Sequence, residues 1–332
     1  MVLAAGYGTR LRPLTFLRAK PAVPFLNQPF IRYSLELFRG LGIKETVINL
    51  HHQEDSIREA VRGSDLEISF SYEDEILGTG GGIGAVRDLL CQDTTVVSNG
   101  KIYFEDDLED ALVFHKERGS LVTLVLVPWS EGDPFAPVLL DAEGTIVQFT
   151  RTRKEPVDRQ GLRPFTFTGV HLLEPGLLDL IPEGTADIVT DVYEPLLGSS
   201  TPPIGYVSDS YWCECSTPRR YLEKSLDQLK RRGLDSLCEG EKTGKIRNSV
   251  IGSGASFSDS VVLSDCVVWE GVRIEGTGTH RNTIFATSLT DVPASLSLDN
   301  AVVVPNCREI VEHKPEYAFE AGDVIIWPLE PK

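Results

Sequence analysis

Leu3-Ala4-Ala5-Gly6-Tyr7-Gly8-Thr9-Arg10-Leu11-Arg12-Pro13-Leu14-Thr15, followed a few residues on by Lys20-Pro21, is the stretch that decides how this chain is read. A short apolar strand runs into a loop with two glycines, then into Thr9, two arginines and a lysine. Gly6 and Gly8 let the main chain approach an anion closely, so that successive N–H groups can point at one phosphate. Arg10, Arg12 and Lys20 add permanent positive charge: guanidinium grips phosphate oxygens in pairs, and ammonium acts as a mobile point charge. The spacing fits neither Gly-x-x-x-x-Gly-Lys-Ser/Thr nor Gly-x-Gly-x-x-Gly, so the two common phosphate-loop fingerprints do not apply. A Gly-x-Gly alone would read as a tight strand-to-turn connection; the whole run reads as a cradle for a polyphosphate.

Working outward, strands and helices alternate. Met1–Ala5 is expected as a short strand with Met1 already inside it, and Ile31–Leu41 as an amphipathic helix ended by Gly42. Glu45–Leu50 and Glu67–Tyr72 read as strands around a helix at Glu54–Arg62. Gly82–Leu90 reads as a helix, and Thr94–Ser98 and Val122–Pro128 as buried strands. This alternation predicts an α/β fold, a Rossmann-like, mostly parallel sheet with helices on both faces. Ligands of such sheets collect at the carboxyl ends of the strands, where the first loop lies. Val138–Val170 looks antiparallel, with Asp141-Ala142-Glu143-Gly144 as its turn. Tyr221–Arg232 is a charged helix expected to close a first domain at 1–232, and 233–245 reads as a linker. Asp187 and Asp191 read as residues capping or flanking a helix.

From 246 to 332 the period changes. Val250, Val262, Val268 and Ile274 fall on a six-residue lattice, Ser256 being its weak member, with glycines between. A hexapeptide period predicts a short left-handed parallel β-helix.

Composition limits the function classes. A chain of 332 residues with 41% hydrophobic content can bury two cores without staples. Its net charge of −17 argues against nucleic acid or an anionic membrane as partner. It leaves room for a local cationic pocket. No apolar run reaches the length of a membrane span. The six cysteines form no Cys-x-x-Cys pair and read as free thiols of a reducing, cytoplasmic compartment.

Leu77-Gly78-Thr79-Gly80-Gly81-Gly82 is the second signal. Three consecutive glycines offer bare backbone against which a base or ribose can lie flat. Adjacent His51 and His52 diverge on a strand and read as rim residues.

Together these motifs resemble the signature of the sugar-1-phosphate nucleotidyltransferases, over nearly the whole chain. The resemblance implies transfer of a nucleotidyl group from a nucleoside triphosphate to a hexose 1-phosphate, with pyrophosphate released. Its domain order is frequent among mannose-1-phosphate guanylyltransferases; glucose-1-phosphate thymidylyl- and uridylyltransferases share the pattern. It assigns the nucleotide to Leu3, Ala4, Ala5, Gly6, Gly8, Thr9, Arg10, Gly78, Thr79, Asn99 and Gly100, and catalytic roles to Arg10, which helps expel pyrophosphate, and Lys20, which steadies phosphate. Thr166-Phe167-Thr168-Gly169-Val170-His171 matches the family's sugar strand, so Thr168 and Gly169 are assigned to the sugar.

Two departures stand out. Magnesium in this family is held by two aspartates. The first, expected after Val96-Val97-Ser98-Asn99-Gly100, is Lys101, which cannot ligate a cation and is expected to place a fixed charge on the phosphates. The second is Glu214, in Trp212-Cys213-Glu214-Cys215-Ser216-Thr217-Pro218, which keeps an oxygen ligand for Mg2+. The glutamate and lysine frequent in this family after the strand ending here at Phe149 are also absent, and Arg151 or Arg153 is a substitute that could take a phosphate or acidic sugar. The β-helix implies assembly as a homo-oligomer or with a related subunit. An alternative reading is a catalytically weak, nucleotide-sugar-binding regulatory subunit.

Overall fold

The computed structural model describes residues 1–152, 160–238, 245–290 and 295–329. Arg153 and residues 239–244 of the expected linker lie outside them. The chain divides into two compact units, Met1–Gly6 with Ile31–Cys213, and Tyr7–Phe30 with Glu214–Lys332. The division therefore does not follow the boundary expected at 232. The reason lies in the bonds of Tyr7–Phe30. Asn27 donates to the Ile251 carbonyl at 2.7 Å and the Pro24 carbonyl accepts from the Tyr221 hydroxyl at 2.5 Å, which ties the segment to the C-terminal third of the chain.

The first unit is built on one sheet. Its strands are β1 (Val2–Leu3), β2 (Glu45–Leu50), β3 (Glu67–Tyr72), β4 (Thr95–Asn99), β5 (Val122–Pro128), β6 (Val138–Leu140), β7 (Ile146–Phe149), β8 (Arg163–Leu173) and β9 (Ile204–Val207). The order is β7-β6-β8-β4-β1-β2-β3, with β5 paired to β8 and to β9. The pairs β1–β2, β1–β4, β2–β3 and β5–β9 are parallel, whereas β8 runs antiparallel to β4, β5 and β6. The expected mostly parallel sheet is thus a mixed, Rossmann-like one. Local sequence cannot give the direction of β8, which is set by the strands it joins.

Helices Phe30–Gly40 and Glu54–Ala60 connect the parallel strands, close to where the 3.6-residue period places them. Buried Val47, Val97, Leu124, Leu126, Val138 and Leu140 join Ile83, Val189 and Tyr193 in the core of this unit. At roughly 25 cal/mol per Å2 such burial is the main force holding the sheet. The turn expected at 141–144 is present: the Asp141 carboxylate accepts from the N–H groups of Glu143 and Thr145, and Gly144 takes φ 86.

In the second unit, Tyr7–Phe30 makes three short 3-10 turns and a ribbon, Pro24–Phe25 against Gln28–Pro29, turned by Leu26 and Asn27 in left-handed conformation. Helix Pro218–Arg231 begins at Thr217, whose hydroxyl accepts from the Arg220 N–H at 3.2 Å. Beyond it, short strands stack in parallel. Val250 lies opposite Val267 and Val267 opposite Ile284, and Ile246 opposite Leu263 opposite His280, so each coil advances the chain by 17 residues (250 to 267 to 284). The six-residue lattice predicted Val250 over Val268, one residue out of register. Asn248, Asp265 and Asn282 take φ 45, 59 and 46, turning the chain sharply at one corner of successive coils. The Asn248 amide donates to Asp265 at 2.6 Å and that of Asn282 to Asp299 at 3.0 Å, joining the corners.

Candidate functional site

The first unit gathers one set of candidate residues at the carboxyl ends of β1, β2 and β4. Leu3 pairs with Asn99, and the Leu3 carbonyl accepts from the Gly100 N–H at 3.0 Å. Ala4 has left the ladder, and its N–H donates instead to the Asn49 side chain at 2.6 Å. Ala4 and Ala5 are buried. Gly6 is exposed, and nothing lies within 4 Å of where a side chain would project, so its main chain is open to a ligand. Lys101 follows at once on the tight turn of Asn99, whose carbonyl accepts its N–H at 2.8 Å, and is half-buried.

Asn99 and Gly169 fit into one another. Gly169 has φ 87, and a Cβ there would stand 2.2 Å from the Asn99 amide nitrogen. The register shifts between Phe167 and Val170, a bulge that re-aims the strand at this point. The Thr168 hydroxyl donates to the Val125 carbonyl at 2.7 Å and accepts from the Val170 N–H at 3.1 Å, and its side chain is buried. Its hydroxyl therefore holds the bulge in place. Arg151, expected to hold an anion, is paired with Asp187. Asp187 in turn accepts from the N–H groups of Val189 and Thr190 and caps the turn Ile188–Tyr193, the capping role its sequence position suggests. Burial would raise the Asp187 carboxyl, but the Arg151 hydrogen bond, those of Thr190 and Val189, and the Arg151 charge together hold it below the usual range.

The glycine run does not lie bare. It forms the helix Gly78–Gly84, with Gly80, Gly81 and Gly82 buried. The N–H groups of Gly80 and Gly81 donate to the Ala186 carbonyl at 2.8 and 3.1 Å, and Thr79 accepts from the Ile188 N–H at 3.0 Å. A Cβ on Gly81 would come 2.2 Å from the Gly184 carbonyl oxygen, and one on Gly78 2.5 Å from that of Ala186. The close approach these glycines permit is to residues 184–188 of the same chain. The expectation of a base lying flat on all three is corrected accordingly.

The second unit gathers the rest of the first loop. Gly8 is left-handed at φ 63, and a Cβ would stand 2.9 Å from the Thr15 methyl and 3.1 Å from Lys20 Cβ. Its carbonyl accepts from the Thr15 hydroxyl at 3.0 Å and the Leu11 N–H at 2.9 Å, closing the turn Thr9–Leu11. Thr9 and Arg10 are exposed. Arg12 stacks on the Phe16 ring, 4.7 Å from its centre, and so is engaged in packing. Lys20 is buried, and its Nζ donates to Glu214 Oε1 at 2.7 Å; both side chains are only 6–7% exposed. Glu214 is thus engaged by an ammonium.

Sequence reasoning missed Glu73 and gave Asn49 no role. Both are buried, and the Asn49 amide donates to Glu73 Oε1 at 2.7 Å. The available signal was a polar residue inside the otherwise apolar run Val47–Leu50. Among the described residues no three His, Cys, Asp or Glu side chains cluster as a metal cage, and no helix is long and apolar enough to cross a membrane. Lys101 cannot ligate a cation and Glu214 Oε1 is taken by the Lys20 ammonium, so the residues present do not form a protein-built magnesium site; an ion here would be held chiefly by phosphate oxygens and water.

An exposed glycine with open main chain after the first strand of a mixed Rossmann-like sheet lies where α/β proteins receive their ligands. The chain belongs to the nucleotidyl transferase family, whose pattern it matches over residues 1–231. It is 31% identical over 295 residues to a mannose-1-phosphate guanylyltransferase of Mycobacterium tuberculosis, covering 83% of this chain and 80% of that one. It is 30% identical over 293 residues to a UTP–glucose-1-phosphate uridylyltransferase of Synechocystis, covering 83% and 72%. The crystal structure of HddC from Yersinia pseudotuberculosis complexed with GMP-PN shares the fold, with a TM-score of 0.56 and 22% identity over 69% of this chain and 97% of that one. The curated relatives carry the names of enzymes, and the alternative of a non-catalytic subunit finds no support in them.

Proposed function

We propose that this protein transfers a nucleotidyl group from a nucleoside triphosphate to a hexose 1-phosphate, with GTP and mannose 1-phosphate as the preferred pair. A phosphate oxygen of the sugar phosphate attacks the α-phosphorus, the α–β bridging bond breaks, and pyrophosphate leaves. The carrying observation is the open main chain at Gly6, anchored one strand-end away through Ala4. No covalent enzyme intermediate is required, so the chain's task is alignment and neutralisation of charge.

In this reading Leu3–Gly6, Gly8, Thr9, Asn99 and Gly100 receive the nucleotide, and Arg10 takes charge on the departing pyrophosphate. Lys20 and Lys101 hold phosphate oxygens. Gly78 and Thr79 border the base, and Gly169 offers main chain to the sugar. Magnesium, when bound, supplies neutralisation of the triphosphate, held chiefly by phosphate oxygens and water. Residues 1–232 carry this chemistry. Residues 246–332 form a left-handed β-helix for subunit association, a reading supported by their stacked parallel pairs.

The test is pyrophosphate release from each of four triphosphates with a panel of sugar 1-phosphates, across magnesium concentrations. Release is expected, greatest with GTP and mannose 1-phosphate. Lys101→Gln is expected to lower kcat about tenfold or more, the scale of one charged phosphate contact, and Lys101→Arg to retain most of it. Nucleotide-sugar binding without release under any combination would overturn the proposal.

A further inference from the structure

We infer that Asn49 and Glu73 form a positioning bridge that fixes the loop after β1 against the glycine loop, and so sets the affinity for the nucleoside triphosphate. The inference rests on the proposed function for the identity of the ligand; the bridge itself is a matter of geometry. Asn49 is the penultimate residue of β2 and Glu73 immediately follows β3. The Ala4 N–H donates to Asn49 Oδ1 at 2.6 Å, Asn49 Nδ2 donates to Glu73 Oε1 at 2.7 Å, and the Leu77 N–H donates to Glu73 Oε2 at 2.9 Å. An unbroken path of three hydrogen bonds thus joins the two segments that the sequence singles out for a nucleotide. Both side chains are 3% exposed.

Three further observations show that this path is built, not incidental. Gly82 leaves the space the pair occupies: a Cβ there would stand 2.7 Å from Asn49 Nδ2 and 2.8 Å from Glu73 Oε1. The Glu73 main chain is itself pinned, its N–H donating to the Leu50 carbonyl at 2.8 Å and its carbonyl meeting His51 Nδ1 at 2.8 Å. Finally, a buried carboxylate is a costly means of crosslinking two strands, where an apolar pair would pack at lower cost. What the carboxylate adds is direction. It accepts directly from the Leu77 N–H and, through Asn49, orients the amide that receives the Ala4 N–H, and so fixes where the residues after each of them stand. Neither side chain need touch a reacting atom; they act through the loops they hold.

The bond has a polarity, which gives a sharp experiment. Asn49→Asp places two carboxylates face to face, and Glu73→Gln sets an amide against an amide donor. The double variant Asn49→Asp/Glu73→Gln reverses the central bond: the glutamine amide donates to the new carboxylate, while Ala4 and Leu77 keep their acceptors. Each single variant is expected to raise the KM for the triphosphate about tenfold, as loss of a buried charged hydrogen bond would, with the KM for sugar 1-phosphate within twofold. The double variant is expected to return within about threefold of the parent, a large coupling for neighbours in one network. Residue-resolved amide exchange is read alongside. Glu73→Gln is expected to lose protection at Ala4, which Glu73 does not touch, and the double variant to regain it. Additive KM effects without rescue, or unchanged Ala4 exchange in Glu73→Gln, would overturn the bridge. Should a single variant not fold, Asn49→Ser, which keeps the Glu73–Leu77 bond and shortens the reach to Ala4, carries the same readouts. A parent protein that releases no pyrophosphate sinks the proposed function, whereas the exchange data still decide the bridge.

Discussion

At the scale of single residues, Gly6 and Gly8 look alike in the sequence and do different work. Gly8 is required by the chain itself, being left-handed and pressed against Thr15 and Lys20. Gly6 has open space where a side chain would stand and a backbone that other residues can adopt. Gly6→Ala is therefore expected to leave the unfolding free energy unchanged within about 0.5 kcal/mol, while weakening triphosphate binding about tenfold or more by putting a methyl where phosphate approaches. Calorimetry on the folded variant checks both halves, and unaltered affinity would count against the cradle. Lys20 and Glu214 raise the opposite question, since a buried pair serves fold and chemistry at once. Lys20→Met leaves a carboxylate buried beside apolar surface and is expected to cost roughly 3–5 kcal/mol. Adding Glu214→Gln removes the stranded charge and is expected to restore most of that stability without restoring pyrophosphate release. Recovery of turnover in the double variant would show that neither residue acts on substrate.

At the scale of elements, the helix Gly78–Gly84 shows that glycine can reserve space for the protein's own backbone. Gly81→Ala would force a methyl to within 2.2 Å of the Gly184 carbonyl, which cannot be relieved by a side-chain rotation. A loss of roughly 1–3 kcal/mol is expected for such overpacking, read from urea denaturation, together with a raised triphosphate KM because Thr79 and Leu77 move with the helix. A Gly81→Ala protein of parental stability would mean that 184–188 yields easily. The same element marks where the sequence was readable and where it was not. The run of glycines announced close approach, but its partner lies a hundred residues on, beyond any local pattern. The coils behave similarly. Apolar residues at short intervals announced stacked strands, yet the lattice drawn through Val250 and Val268 missed the 17-residue step from Val250 to Val267. The step is set by left-handed corners at Asn248, Asp265 and Asn282, which a hydrophobic period does not register.

At the scale of the whole molecule, strands and helices of the first unit were legible because each buries one face with a local period. The direction of β8 and the membership of Tyr7–Phe30 were not, since both depend on distant pairings. Stability toward acid is a property of the same kind, carried by buried groups whose proton affinity the fold lowers: His171 and the Met1 amino group in the first unit and His280 in the second. Burial, and then the charge of the N-terminal ammonium, push His171 down to about 3. His171 is held at Nδ1 by the Tyr193 hydroxyl. Burial pushes His280 down to about 4; its ring stands edge-on to Phe285 at 5.1 Å, and neither ring nitrogen has a hydrogen-bond partner among the described residues. Both are neutral in the fold, whereas in the unfolded chain they take up protons below about 6.5. The rings' contribution is thus full above that value and is lost as pH drops toward 4 and 3, by about 1.4 kcal/mol per pH unit for each ring. The buried amino group of Met1, pushed down to about 5, adds a third protonation that the unfolded chain takes up below about 8 and the fold does not. Between pH 6.5 and 5, above the range in which ordinary carboxylates titrate, the urea midpoint is expected to fall steadily. His280→Leu removes one of these three protonations at nearly constant volume, so its midpoint is expected to fall about a third less steeply and to stand no lower than the parent's at pH 7. A slope unchanged by that substitution would show that His280 takes up its proton inside the fold, with the coil open enough to admit it.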